Sequence, residues 1–315
     1  MVSQDLNPAS SLVAVIGPTG SGKSDLALDL AERIGGEIIC LDSAQVYRHL
    51  DIGTAKPTPE ERARVPHHLF DAVEPTDGMD AARWVAMAEP VIAGIAARGR
   101  VPMLVGGTGL WLKALLHGLF DAPPPDAAIR ARLEAELREQ GPEALHARLA
   151  GVDPDAAACI AAADRQRIVR ALEYFEQTGE RISRAQAQHE FSEQRHRCLT
   201  VGIDRDREEL KARLMTRLDR MLEAGWIEEV RALLEAGVPR DARGFIAHGY
   251  RHVIAHVLGE KSLEEIREVM LREHVAYTKR SRTWYRKLPG VMWVRPPVDL
   301  RALERAVASF LGGDA

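Results

Sequence analysis

Leu12-Val13-Ala14-Val15-Ile16-Gly17-Pro18-Thr19-Gly20-Ser21-Gly22-Lys23-Ser24 decides the fold. From Gly17 to Ser24 it fits G-x-x-x-x-G-K-[ST] at every fixed position. The flanks supply the context that gives the pattern meaning. Leu12 to Ile16 is a short apolar run, the mark of a buried strand. Ser24 to Ile34 sets Leu26, Leu28, Leu30 and Ile34 among polar residues, which predicts a helix ended by Gly35-Gly36. Glycines let backbone N–H groups turn inward around an anion, and the helix N-terminus adds positive potential. Lys23 supplies a point charge, and the Ser24 hydroxyl suits Mg²⁺. The motif specifies a polyphosphate; ATP or GTP is the usual default, and it stays open here.

Working outward, Glu37 to Leu41 and Val101 to Val105 read as further strands, the latter stopped by Gly106-Gly107. Asp80 to Arg98 is an Ala-rich helix that Pro90 is expected to bend or break. Leu110 to Leu116 opens another helix. Strands alternating with helices predict an α/β fold, a wound parallel sheet of the P-loop NTPase type. At Asp121-Ala122-Pro123-Pro124-Pro125 three prolines make a stiff linker. From Asp126 to about His196 the pattern is all helix. A strand returns at Leu199 to Ile203, followed by a helix with Leu210, Leu214, Leu218 and Leu222 at fourfold spacing. Val291 to Val294 reads as a last strand and Asp299 to Phe310 as a closing helix. The expected organisation is a P-loop core over 10–120 plus 199–315, interrupted by an all-helical subdomain at 121–198.

The chain has 315 residues, 46% apolar and 28% charged, an ordinary globular composition. No apolar run approaches the length of a membrane span, and the polar N-terminus through Ser11 does not read as a signal peptide. Cys40, Cys159 and Cys198 are odd in number and far apart, so neither a disulfide framework nor a CxxC metal site is expected. The expected compartment is a reducing cytoplasm. A net charge of −4 excludes a uniformly basic nucleic-acid surface; any RNA contact must use local patches.

Asp42 ends the second strand, where wound sheets bind their ligands. By position alone it can be a Mg²⁺ carboxylate, a general base or a turn-capping group. Further strings narrow the choice: Ile52-Gly53-Thr54-Ala55-Lys56-Pro57, Pro66-His67-His68-Leu69, Gly106-Gly107-Thr108-Gly109-Leu110-Trp111, Gln166-Arg167-Ile168-Val169-Arg170-Ala171-Leu172-Glu173, Gly249-Tyr250-Arg251, and Lys279 through Arg286. Together and in order, from about residue 12 to 294, they closely resemble the bacterial tRNA dimethylallyltransferases of the IPP transferase family.

The resemblance implies transfer of a dimethylallyl group from dimethylallyl diphosphate to the exocyclic N6 amine of the adenosine 3′ of the anticodon. The base is flipped out, at a cost of a few kcal/mol. By resemblance Asp42 takes the amine proton, a role typically contributing ~10²–10⁴ in rate. Lys23 and Thr108 serve the departing diphosphate, with Thr108 otherwise readable as a helix N-cap. Gly17, Pro18, Thr19, Gly20, Ser21, Gly22, Lys23, Ser24 and Arg217 hold the diphosphate, and Mg²⁺ is the expected cofactor on Ser24. Arg213 shares a helix face with Arg217, and both also fit a solvated face.

For the tRNA, the resemblance implies contacts from Asp42, Ser43, Ala44 and Gln45, from Gln166, Arg167 and Arg170 in the helical subdomain, and from Tyr250 and Arg251. Tyr277 to Lys287 interleaves Lys279, Arg280, Arg282, Arg286 and Lys287 with Tyr277, Trp284 and Tyr285. That mix suits RNA, and equally an amphipathic helix with a wet basic face. With the resemblance, Lys279, Arg280 and Arg286 are RNA contacts and Trp284 stays open as core.

Ala163 and Arg165 replace a more usual Asn and Pro, Phe245 to His248 is less basic than family versions, and Trp111 stands for Tyr. His248, His252 and His256 lack the Glu of H-E-x-x-H and do not read as a metal site. His67 and His68 read as structural or near the prenyl pocket. The rivals are a small-molecule P-loop kinase, a prenyltransferase on free adenine nucleotides, and a non-catalytic RNA binder. A monomer without a protein partner is expected.

Overall fold

The computed structural model describes residues 11–120, 122–189 and 194–312. Residues 1–10, Asp121 of the proline linker and residues 190–193 at the end of the expected helical stretch lie outside them. The chain divides into two compact units, one running to Leu116 and resuming at Arg195, the other spanning His117–Gln194.

In the first unit β1 (Ser11–Ile16) feeds the phosphate loop and α1 (Lys23–Ile34). Gly35 ends α1 in a left-handed turn, its N–H donating to the Ala31 carbonyl, so β2 (Gly36–Leu41) starts at once. A capping box of Thr58 and Glu61 starts α2 (Pro59–Arg64), which leads to β3 (His67–His68). This edge strand is too short for any period in the sequence to show. Asp80 caps α3 (Ala81–Ala97), which continues unbroken across Pro90, contrary to expectation. Pro90 is exposed, and the buried Trp84, Ala88, Ile92 and Ile95 hold the helix on the sheet from both sides of it. β4 (Val101–Gly106) and α4 (Gly109–His117) follow.

The second unit is helical: α5 (Ala127–Gln140), α6 (Pro142–Val152), α7 (Pro154–Cys159), α8 (Arg165–Thr178) and α9 (Ile182–His189). Asp126, Asp153 and Asp164 each accept a first-turn N–H and so start α5, α7 and α8. Leu133, Leu145, Leu149, Ile168 and Leu172 form its core.

The first unit resumes with β5 (Arg197–Ile203), α10 (Arg207–Glu223), α11 (Trp226–Glu235), α12 (Tyr250–Val257), α13 (Leu263–Tyr285), β6 (Met292–Val294) and α14 (Leu300–Gly312). Leu210, Leu214 and Leu218 are buried along one face of α10. Each such burial contributes about 1.5–3 kcal/mol. The six strands lie in the order β3-β2-β4-β1-β5-β6, every pair parallel. β1 is central, with Val15 opposite Val105 on one side and Val201 on the other. Its Val13 and Val15 join Leu30, Met103, Val201 and Ile203 in one core cluster. Because all strands run the same way, Gly17, Asp42 and Thr108 emerge together at the carboxyl edge, where wound sheets bind ligands. Among the described residues no helix is long and apolar enough to cross a membrane.

Candidate active site

The phosphate loop has the conformation its glycines permit. Gly20 and Gly22 take φ of 81° and 87°, values that L side chains adopt at a cost. Gly22 is the N-cap of α1 and offers no side-chain bond, so the first-turn N–H groups of the helix are left for an anion. Ser21 is fully buried beneath the loop, and its N–H donates to the Pro18 carbonyl. Of the expected diphosphate contacts, Ser21 is therefore a support, since neither its hydroxyl nor its N–H faces the cavity. Two arginines distant in sequence brace the loop from outside. Arg205 Nε donates to Ser21 O at 2.6 Å and Arg213 Nε to Gly20 O at 2.8 Å. No local signal announces Arg205, which lies 184 residues from its partner.

A cavity of about 1190 Å³ opens on this loop, lined among others by Gly22, Lys23, Ser24, Lys56, Arg213 and Arg217. Lys23 is half-buried. Burial pulls its ammonium below the ordinary lysine value, Asp42 opposes this, and Arg217 reinforces it. Burial likewise lowers Arg217, against Asp42 and Asp25. Arg217 also donates to the Thr54 carbonyl at 3.3 Å, so it reaches the cavity wall and is no solvated face residue.

Asp42 follows β2. One of its carboxylate oxygens, Oδ1, accepts from Ala44 N–H at 2.9 Å. Across the strand ends Ser43 N–H donates to Thr108 Oγ1 at 2.9 Å. The Thr108 carbonyl, not its side chain, accepts from Trp111 and Leu112 at the start of α4. With its oxygen already an acceptor from Ser43, the Thr108 hydroxyl keeps its proton to donate to a ligand. Tyr285 OH donates to Gly107 O at 2.5 Å, tying α13 to the same turn. Trp284 is half-buried with its ring against Gly109.

The Ile52 to Pro57 string forms one wall of the cavity and is held from within. Lys56 is buried and donates to Asp51, Asp71 and the Tyr47 carbonyl at 2.7, 2.5 and 2.5 Å. Gln45 spends its amide on the carbonyls of Thr54 and Ala55, at 3.0 and 2.8 Å. Glu229 of α11 accepts from the N–H groups of Asp51 and Ile52 at 2.8 and 2.7 Å, and from Tyr250 OH at 2.7 Å. Neither Glu229 nor Lys56 stands out in the sequence as a keystone.

These contacts revise several expected RNA residues. Tyr250 is fully buried between Trp226 and Phe245 and presents no surface. Arg170 is held by Glu173, itself fully buried, at 3.0 Å and by the Pro123 carbonyl at 3.1 Å. Both are better explained as structural than as direct contacts. Gln166 and Arg167 are exposed on α8, as are Ser43, Lys279, Arg280 and Arg286; Ala44 is half-buried. Arg251 is exposed and paired with Glu273. His67 and His68 sit on the edge strand, with His68 on Glu37 at 2.7 Å. His252 faces Glu273 and His256 the Lys261 carbonyl, so the three spaced histidines share no centre.

A phosphate loop at the head of a parallel sheet, with a carboxylate and a hydroxyl on the neighbouring strand ends, defines an α/β enzyme of the phosphate-loop class. Comparison with known proteins narrows it. The IPP transferase family model matches residues 45–288, and an isopentenyl transferase model matches 10–79. A tRNA dimethylallyltransferase of Geobacter sulfurreducens is 47% identical over 303 residues, 96% of this chain and 97% of the relative. The solved full-length tRNA isopentenylpyrophosphate transferase of Bacillus halodurans superposes with a TM-score of 0.71 at 36% identity, covering 96% of this chain and 97% of that one. A eukaryotic dimethylallyltransferase solved acting on tRNA gives 0.80 at 26% identity, covering 97% and 80%. The chain belongs to the IPP transferase family.

Proposed function

We propose that this chain transfers the dimethylallyl group of dimethylallyl diphosphate to the N6 amine of the adenosine 3′ of a tRNA anticodon. The observation that carries the reading is the meeting of Asp42, Thr108 and Lys23 at one sheet edge beside a phosphate loop whose first helical turn has no side-chain cap. The phosphate loop and Asp42 would also serve a kinase; what favours prenyl transfer to tRNA is that the chain-long relatives bear tRNA in their names.

The chemistry follows from where the groups stand. The diphosphate lies on the loop amides, the α1 N-terminus, Lys23 and Arg217. The amine nitrogen attacks the allylic carbon as the carbon–oxygen bond to diphosphate breaks, and the amine proton passes to Asp42. Ala44 N–H keeps the carboxylate aimed. Charge gathering on the leaving oxygens is met by Lys23, Arg217 and the Thr108 hydroxyl, donors set in place before reaction. The residues also fit Mg²⁺ brought in on the diphosphate: Ser24 lines the cavity, and among the described residues no acidic, His or Cys cluster could hold an ion alone. Ser24 would hold it, and it would neutralise diphosphate charge. Exposed Gln166, Arg167, Lys279, Arg280 and Arg286 supply RNA contacts. The compartment is proposed to be the cytoplasm and the working form a monomer.

The test mixes purified protein, Mg²⁺, dimethylallyl diphosphate and unmodified tRNA, with nucleosides read by mass spectrometry. Parallel tubes hold AMP in place of tRNA, or ATP in place of the prenyl donor. Prenylated adenosine from the tRNA tube alone, lost with Asp42→Ala, is expected. Prenylated AMP, or consumption of ATP alone, would overturn the reading.

A further inference from the structure

β5 runs out into Asp204, whose N–H donates to the Val294 carbonyl at 2.9 Å, so the pairing of β5 with β6 brings Arg295 up beside it. Three guanidiniums meet on this one carboxylate. Arg282 Nη2 donates to Oδ1 at 3.1 Å, Arg295 Nε and Nη2 donate to Oδ2 at 3.3 and 3.2 Å, and Arg286 Nη2 lies 3.8 Å from Oδ1. Arg282 and Arg295 stand 78 and 91 residues from Asp204, so only the fold assembles the group. Three positive charges on one negative leave two uncompensated, and among the described residues no other carboxylate pairs with any of the three arginines. Asp206 feels Arg282, but its side chain is spent on the first turn of α10. Stability does not account for the arrangement. An exposed ion pair is worth about 0–1 kcal/mol, and further like charges on the same carboxylate oppose one another.

The group is open to a ligand: the side chain of Arg295 is 83% exposed, that of Arg286 62% and that of Arg282 26%. Asp204 takes up three of their N–H groups and pins the guanidiniums side by side. Planar forks held together in this way suit the oxygens of a phosphodiester. The site is not the donor's. None of the four residues lines the donor cavity, and three strand spacings, about 14 Å, separate the end of β5 from the end of β2, where Asp42 stands. It is nevertheless fixed relative to the reaction centre. Tyr285, next to Arg286, bonds to Gly107, and Arg205, next to Asp204, braces the phosphate loop. In a chain of net charge −4, two uncompensated positive charges at this edge form the kind of local patch that RNA requires.

We infer that Arg282, Arg286 and Arg295, gathered by Asp204, clamp one phosphate of the tRNA backbone away from the target adenosine and so fix the register in which the RNA lies on the protein. The inference rests on the tRNA reading above and adds Asp204, Arg282 and Arg295, which that reading does not use.

The experiment uses synthetic anticodon stem-loops in which a neutral methylphosphonate replaces one phosphate at a time. Binding to the full chain is read by fluorescence anisotropy without donor, over a series of salt concentrations. Wild type is expected to lose about tenfold in affinity at one position, the scale of a charge-assisted hydrogen bond. That position lies outside the two phosphates of the target adenosine. Arg295→Gln and Arg282→Gln lose as much on unmodified RNA and nothing further at that position. Their slope of log Kd against log salt falls by about one, while the KM for dimethylallyl diphosphate at saturating RNA holds. The clamp is overturned if both variants keep the full sensitivity of wild type at every position, if the sensitive phosphates are the target's own, or if the variants raise the donor KM in place of weakening RNA. Should the stem-loop bind with the expected signature but never be prenylated, the function reading fails and the clamp stands. Prenylation without any sensitive position leaves that reading intact and removes the clamp.

Discussion

Thr108 Oγ1 receives the Ser43 backbone N–H at 2.9 Å, joining the residue after the candidate base to the turn after β4. The bond joins positions 65 residues apart and leaves the Thr108 hydroxyl proton directed elsewhere. Thr108→Val removes both acceptor and donor. Turnover is expected to fall about 10²-fold, the usual scale for one preorganised donor. Thr108→Ser should keep most of it. Steady-state kinetics with saturating tRNA separates the two, and equal activity of Val and Ser variants would remove Thr108 from the chemistry.

Lys23 is held below the ordinary lysine value by burial. Between the folded and the ordinary value the unfolded chain binds the additional proton, so stability rises with pH through that window. Lys23→Met abolishes this slope. The free protein should melt higher at neutral pH, by about 2–4 °C for each kcal/mol relieved, while the KM for the diphosphate donor rises. Thermal unfolding at two pH values, with and without inorganic diphosphate, checks both. A variant that melts lower than wild type without ligand contradicts the burial account.

Gly53 has no room for a methyl group: a Cβ there would fall 2.1 Å from Trp226 Nε1 and 2.6 Å from Tyr250 Cζ. Gly53→Ala must push the cavity wall off Glu229. A loss of about 1–3 kcal/mol is expected in urea unfolding, together with a raised donor KM because Thr54 and Lys56 shift with the wall. Wild-type values for both would show that the wall yields freely.

Glu173 is fully buried in the helical unit, bonded to Arg130 at 2.7 Å, Arg170 at 3.0 Å and Asp126 N–H at 2.9 Å. Removing one member of a buried ion pair typically costs ~3–5 kcal/mol. Glu173→Gln and Arg170→Gln should therefore destabilise this unit, followed by hydrogen exchange on α5 and α8. Arg167→Gln, on the exposed face, should leave exchange unchanged and weaken tRNA binding. Reversed behaviour of Arg167 and Arg170 would restore Arg170 as an RNA contact.

The strands, the phosphate loop and the helical stretch were legible because each is written locally. A run such as Leu12 to Ile16 before a glycine turn reads as a buried strand, whereas the division between the units falls at Leu116 and His117, ahead of the three prolines. β3 was not legible, since two residues carry no period. Pro90 misled because the sheet-facing apolar contacts of α3 outweigh one lost N–H bond.

For the site, the sequence by itself determined which chemistry is on offer: an anion loop, a carboxylate at a strand end and a threonine at the next. It could not decide which basic and aromatic residues are free to use. The resemblance names Tyr250 and Arg170 as RNA contacts, and in the fold they bond to Glu229 and Glu173. Arg205 and Glu229, silent in the sequence, brace the loop and the wall. The reason is physical: local pattern sets backbone conformation, but a polar side chain's role depends on its partners, and most of these stand far off in sequence, Arg170 and Pro123 47 residues apart, Asp51 and Glu229 178, and Ser21 and Arg205 184. Only tertiary packing brings them together.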